Sequence, residues 1–220
     1  MDRNYELIIG DKNYSSWSLR PWLVFAACEI PFGETYVKLR RQETRAELLR
    51  HSPSGKVPAL RAGDLLIWDS LAIMEFLAER HPNAKIWPED ERARAIARCV
   101  SAEMHSGFVA LRNECPMDFV NVLGFPQISD KVEADISRIV QIWRDCRTRF
   151  GAGGDFLFGA FSAADAMYAP VASRFVTYEV DLARFGDDGT AARYRDMLMA
   201  MPAMRRWAEE SRAELAAEKS

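Results

Sequence analysis

The spacing of apolar residues changes period once along this chain, at the connector over residues 82–88, and that change restricts the fold more than any other feature. Before it, short alternating runs interleave with helical ones. Residues 5–9 read as a strand, 22–29 as an apolar-rich helix stopped by Ile30-Pro31, 35–39 as a second strand, and 43–50 as a short polar helix. Two further strands, 59–61 and 65–68, flank the hairpin-type turn Ala62-Gly63-Asp64. A helix over 70–80 follows, with Leu71, Met74, Phe76 and Leu77 largely on one side and His81-Pro82 ending it. The order β-α-β-α-β-β-α predicts a small mixed sheet with helices packed on it. After Pro88 no strand is legible. Residues 89–114 read as one long helix with Ile96, Val100, Met104, Phe108 and Leu111 at helical spacings, closed by Cys115-Pro116. A second runs from the N-cap candidate Ser129 to residue 150, with a stripe of Val132, Ile136, Ile139, Val140 and Trp143. Gly151-Ala152-Gly153-Gly154 breaks the chain, another helix starts at Ser162, and 188–200 and 202–218 supply the last two. The expectation is an α/β domain over residues 1–83 joined to an all-α domain over 88–220.

Composition removes several classes of function. A chain of 220 residues with 49% apolar and 28% charged residues can bury a sizeable core. Its net charge of −3 argues against a dedicated nucleic-acid binder, and acids flank the arginine pairs Arg40-Arg41 and Arg205-Arg206. No run approaches the roughly 18 apolar residues of a membrane span, and Met1-Asp2-Arg3-Asn4 carries no apolar leader. Cys28, Cys99, Cys115 and Cys146 are scattered, with no Cys-x-x-Cys and no companion histidine spacing. Reduced thiols in a cytoplasmic protein without a metal are therefore expected.

Three short signals in the first 80 residues carry chemistry. The first is Asn13-Tyr14-Ser15-Ser16-Trp17-Ser18, ahead of a helix. Pro21 lacks an N–H and fits best in a first helical turn, which places the cap near Trp17 or Ser18. Ser15 or Ser16 then stands just ahead of the helix mouth, free to donate to a thiolate, with Tyr14 as the rival donor. Lowering a thiol pKa of about 8.5 by two units takes about 2.7 kcal/mol. A hydrogen bond to a charged group contributes about 1.5–3 kcal/mol, and the helix end adds about 0.3–1. The second signal is Gly55-Lys56-Val57-Pro58-Ala59-Leu60. It is either an ordinary turn entering an edge strand or, if Val57-Pro58 is cis, a backbone edge offering the Val57 N–H and C=O to an extended peptide, with Lys56 near a peptide carboxylate. The third is Asp69-Ser70 at a helix start, where a hydroxyl suits a carboxylate and the acid suits an ammonium, as on an amino-acid head group. Capping alone would also explain it.

In order, these segments resemble the cytosolic glutathione S-transferase superfamily, and the resemblance spans essentially the whole chain. Ser15-Ser16-Trp17-Ser18-Leu19-Arg20 is similar to the Ser-Ser-Cys-Ser-Trp-Arg signature of the zeta class and related bacterial enzymes. The other two segments resemble the family's cis-proline loop and its acid-serine glutathione motif, and Ser162-Ala163-Ala164-Asp165 resembles the capping box of its core helix. The resemblance implies a thioredoxin-like N-terminal domain that holds glutathione and an all-helical C-terminal domain that builds the acceptor pocket. It implies Ser15 as the catalytic serine with Ser16 as its neighbour, Val57 and Pro58 at the cysteinyl backbone, and Asp69 and Ser70 on the γ-glutamyl group. A homodimer and a detoxifying role are implied with it. Two departures stand out: Trp17 replaces the zeta cysteine, and the arginine that grips an acceptor carboxylate would fall at Thr177, one turn beyond Arg174.

For the acceptor pocket the candidates are Met104, His105, Phe108 and Arg112 on one helical segment and Arg174 and Tyr178, spaced i and i+4, on another. Arg112 and Arg174 together would favour an anionic electrophile. The functions to weigh are attack of a glutathione thiolate on a small electrophile, glutathione-dependent cis–trans isomerisation of an unsaturated acid of the maleylacetoacetate type, and a non-catalytic binding or regulatory protein on the same fold. Retention of Ser15, Val57 and Asp69-Ser70 counts against the last.

Overall fold

A computed structural model describes residues 5–218. The residues Met1 to Asn4, read above for a leader, lie outside it. Four strands, β1 (Tyr5–Gly10), β2 (Gly33–Val37), β3 (Ala59–Ala62) and β4 (Leu65–Ile67), form one sheet in the order β2-β1-β3-β4. β1 and β2 run parallel, joined by helix α1 (Ser16–Ala27), whereas β3 and β4 are antiparallel additions. Both faces are covered, and the two-residue period of β1 shows how. Leu7 and Ile9 join the main core, while Ile8 between them joins Val37, Ala59 and Leu48 of α2 (Thr44–His51) on the other face. Helix α3 (Ser70–Arg80) sends Ile73, Met74 and Leu77 into the main core. This is the thioredoxin-like arrangement.

The rest is helical: α4 (Glu91–Ser106), α5 (Val109–Glu114), α6 (Asp130–Phe150), α7 (Ala163–Thr177), α8 (Thr190–Met199) and α9 (Pro202–Ala217). α7 is the axis of this half. It is buried along nearly its whole length, and its start is set by the expected capping box. Asp165 Oδ2 accepts from the Ser162 N–H (2.8 Å) and hydroxyl (3.0 Å), while Oδ1 accepts from the Leu157 N–H and the Tyr194 hydroxyl, both at 3.0 Å. One continuous core links Trp22 and Phe25 of α1 to Trp143, Tyr168 and Trp207 of the helical half.

Helix α9 is fastened to the sheet by a buried cation. Lys12 Nζ pairs with Glu34 at 2.6 Å and with Glu210, and lies 5.2 Å from the ring centroids of both Trp22 and Trp207. Trp207 Nε1 returns a bond to the Lys12 carbonyl (2.8 Å). A charge this enclosed persists only when paired on all sides, as it is here.

Two sequence expectations need correction, and one element is added to them. The first helix begins at Ser16, so Pro21 lies more than a turn inside it, and the cap position is Ser15. The helix expected over 89–114 is two helices, broken at Gly107 and Phe108; Gly107 is extended, and a Cβ there would meet the Glu103 carbonyl oxygen at 2.7 Å. A 3-10 turn at Leu182–Phe185 was not legible beforehand. All four cysteines are free, with Cys99 exposed. Among the described residues no helix is long and apolar enough to cross a membrane, and no group of three or more His, Cys, Asp or Glu gathers as a metal site.

Candidate functional site

The mouth of α1 is built by a tight loop. The Asp11 carbonyl accepts from the N–H of Tyr14 (3.1 Å) and of Ser15 (2.8 Å), and the Asp11 carboxylate accepts from the Tyr36 hydroxyl and the Leu39 N–H. Ser15 occupies the N-cap position yet makes no capping bond. Its hydroxyl lies 2.7 Å from that of Ser18, which in turn accepts from the Gly10 N–H at 3.1 Å. Ser15 and Ser16 are nearly closed over, at 6% and 7% exposure, against the sequence expectation of hydroxyls standing clear of the helix. The Tyr14 ring packs under the Arg40 guanidinium, 4.5 Å away.

A cavity of about 360 Å³ opens beside this mouth, lined by Trp17, Ser54, Lys56, Val57, Pro58, Trp68, Asp69, Ser70, His105 and Arg112. The two remaining signals therefore converge on one space. The Val57–Pro58 bond is cis, and the Val57 N–H and C=O have no hydrogen-bond partner among the described residues. Asp69 caps α3, accepting from the Leu71 N–H at 3.0 Å and the Ala72 N–H at 3.5 Å, while its other oxygen meets His105 Nε2 at 2.7 Å. Ser70 is fully buried and its hydroxyl has no partner, although a buried polar group is ordinarily satisfied. A larger cavity, about 490 Å³, lies between the 82–88 connector and the loop after α6 and holds none of these residues.

Electrostatics at the back of the cavity is one-sided. Trp17 carries the Arg20 guanidinium 4.1 Å from its ring centroid, that of Arg112 at 5.1 Å, and the His105 ring at 5.3 Å. Arg20 is wholly buried with no carboxylate partner. Its Nε and Nη1 donate to the Met167 and Ser16 carbonyls, both at 3.1 Å, and Nη2 donates to nothing. Burial first, then the charges of Arg174 and Arg112, push the Arg20 pKa well below its ordinary value. Burial also pushes Arg174 down, to about 10, and Arg112 down. The Arg112 guanidinium makes no ion pair within 4 Å and no hydrogen bond among the described residues, although the charge of Asp135 acts on it.

The acceptor-pocket candidates separate. His105 and Arg112 reach the cavity, with His105 on the Asp69 carboxylate. Met104 and Phe108 do not line it; they are buried in the main core. Arg174 Nε binds the Cys115 carbonyl at 2.9 Å and the Tyr178 hydroxyl binds the Pro116 carbonyl at 2.9 Å, so this i, i+4 pair latches the segment after α5. Trp68 and Ser54 at the cavity, and Arg20 behind it, were missed. Arg20 did stand in the segment similar to the zeta signature, at the place of its arginine, but no role was read for it there.

A thioredoxin-like sheet set against an all-helical half, with a cavity at the mouth of α1 and the start of α3, defines a recognised class of two-domain protein. Residues 14–80 match the family model of the glutathione S-transferase N-terminal domain, and 129–210 that of its C-terminal domain. A probable maleylacetoacetate isomerase of Caenorhabditis elegans is 33% identical over 107 residues, 49% of this chain and 50% of that protein. The maleylacetoacetate isomerase of Rattus norvegicus is 26% identical over 174 residues, 77% of each. Among solved structures, a glutathione transferase homologue from Burkholderia, with bound glutathione, superposes with a TM-score of 0.69 at 20% identity, covering 96% of this chain and 99% of that one. An omega-class transferase of Trametes versicolor gives 0.71 at 17% identity, covering 100% and 98%. The chain belongs to the glutathione S-transferase superfamily and resembles its zeta class.

Proposed function

We propose that the chain is a glutathione-dependent enzyme, a glutathione S-transferase that presents the glutathione thiolate to a small electrophile. The observation that carries this is the wholly buried, partnerless Ser70 hydroxyl at the start of α3, sharing one cavity with Asp69, Lys56 and the free Val57 backbone. An α-amino-acid head suits Asp69 and Ser70, an extended peptide suits Val57, and a terminal carboxylate suits Lys56. The thiol then lies toward Ser15 at the mouth of α1. Residues 1–83 are read as the glutathione domain and 88–220 as the acceptor domain, in a cytoplasmic homodimer.

At 100 times its dissociation constant, glutathione should stabilise the fold by about 2.7 kcal/mol, raising Tm by roughly 5–10 °C. A thermal-shift series reads this directly. An unchanged Tm at millimolar glutathione, with no heat of binding by calorimetry, would overturn the proposal.

A second reading, glutathione-dependent isomerisation of an unsaturated acid, is favoured by the unpaired Arg112 beside the buried Arg20. Thiolate addition turns the double bond into a rotatable single bond, and expulsion of the thiolate restores both partners. The two readings share a preference for anionic acceptors. Arg112→Gln should lower kcat/KM about 10- to 100-fold for a carboxylate-bearing acceptor and leave a neutral aryl halide nearly unaffected. Equal loss on both acceptors would remove Arg112 from acceptor recognition.

A further inference from the structure

The hydroxyl pair at the mouth of α1 has one arrangement that leaves the fully buried Ser18 proton with a partner. Ser18 is fully buried, and its oxygen accepts from the Gly10 N–H at 3.1 Å. Its own proton has a single acceptor within reach among the described residues, the Ser15 oxygen at 2.7 Å. If Ser15 donated to Ser18 instead, the Ser18 proton would be buried without a partner, the costly outcome for a polar group. Ser18 donation leaves both groups satisfied and leaves Ser15 with a proton still to give.

The Ser15 hydroxyl makes no capping bond, and the N–H groups of Trp17 and Ser18 have no partner among the described residues. Ser18 is the only hydrogen-bond partner of the Ser15 hydroxyl among the described residues, so once Ser18 donates, no protein acceptor takes the Ser15 proton; Ser15 is 6% exposed and adjoins Trp17 of the cavity lining.

We propose that Ser18 is a positioning residue: anchored by the Gly10 N–H, it donates to Ser15 and so turns the Ser15 proton outward toward the ligand's sulfur. This rests on the glutathione reading above. The chain runs Gly10 N–H to Ser18 to Ser15 to sulfur, and each hydroxyl that accepts a bond becomes a stronger donor to the next. No proton is transferred along it; the relay fixes direction. Ser18 itself never meets the ligand.

The test is the titration of glutathione bound to the full-length protein, followed by thiolate absorbance in the ultraviolet. Ser18→Ala should raise the bound thiol pKa by roughly half a unit to one unit, with the glutathione dissociation constant within about twofold of wild type. The pH–rate profile should move to alkaline pH by the same amount, so that the rate deficit, about three- to tenfold at pH below the wild-type thiol pKa, closes as pH rises. Ser18→Thr keeps the hydroxyl and should restore the wild-type titration. Ser18→Cys keeps the packing with a poor donor and should titrate like the alanine variant, which covers the case of an alanine variant that does not fold. A bound-thiol pKa unchanged in both Ser18→Ala and Ser18→Cys overturns the relay while leaving the glutathione reading intact. Failure of wild-type protein to bind glutathione overturns that reading, and the relay with it.

Discussion

Ser15→Ala is expected to lower turnover with glutathione about 3- to 30-fold at neutral pH, and about 10- to 100-fold below the wild-type thiol pKa, while changing glutathione affinity by no more than about fourfold. The hydrogen bond at issue joins a hydroxyl to an anion, worth about 1.5–3 kcal/mol, and it exists only when the thiol is ionised. Removing it leaves the proposed contacts of the peptide with the Val57 backbone and the Ser70 hydroxyl untouched and should raise the thiol pKa by about one to two units. The sign follows: the thiolate fraction falls at pH 6–7 and recovers above the new pKa, so the variant's rate should climb steeply with pH where wild type is flat. Stopped-flow rates across the pH range, paired with calorimetric binding, separate this from misfolding. The control is Ser16→Ala, which removes only a hydroxyl and keeps the backbone carbonyl that serves the buried Arg20. That variant should stay within a few-fold of wild type. If Ser15→Ala matches wild type at every pH, the thiolate is held by another group.

What was legible in the sequence was whatever a local pattern encodes. The switch from alternating to helical spacing at residues 82–88 placed both halves, because strand and helix faces repeat with different periods. Serines ahead of a helix and an Asp-Ser pair at another are short-range cap signals, and both lie at or beside the cavity. The break at Gly107 and Phe108 was hidden. A single glycine costs a helix only about 1 kcal/mol, and Phe108 falls at a good helical spacing. The restart of α5 is supported instead by Asp135, 24 residues further on, whose carboxylate takes the Leu111 N–H at 3.0 Å. Arg20 was equally hidden, since arginine is rarely expected wholly buried without an acid beside it. The pairing of His105 with Asp69 across the two halves is likewise a product of packing, with no trace in spacing.

Asp165→Ala is expected to destabilise the fold by about 3–5 kcal/mol, lowering Tm on the order of 10 °C. The carboxylate is fully buried and gathers four donors: two backbone N–H groups, the Ser162 hydroxyl and the Tyr194 hydroxyl of α8. Alanine leaves all four facing a void, at the start of the most buried helix in the molecule. Asp165→Asn distinguishes charge from contact. Burial is the largest influence on this carboxyl and raises it from 3.8 to about 6, against the pull of its four donors. A folded-state pKa above the unfolded one means that its contribution to stability is fully present below about 3.8 and is lost as pH rises through about 6. The span corresponds to about 3 kcal/mol. Asparagine does not titrate, so the stability gap between wild type and Asp165→Asn should widen as pH falls from 7 to 4. Urea unfolding at several pH values measures it, with the slope against denaturant checking that the transition stays two-state. A gap that narrows toward acid would mean that the four donors outweigh burial and that Asp165 is ionised throughout.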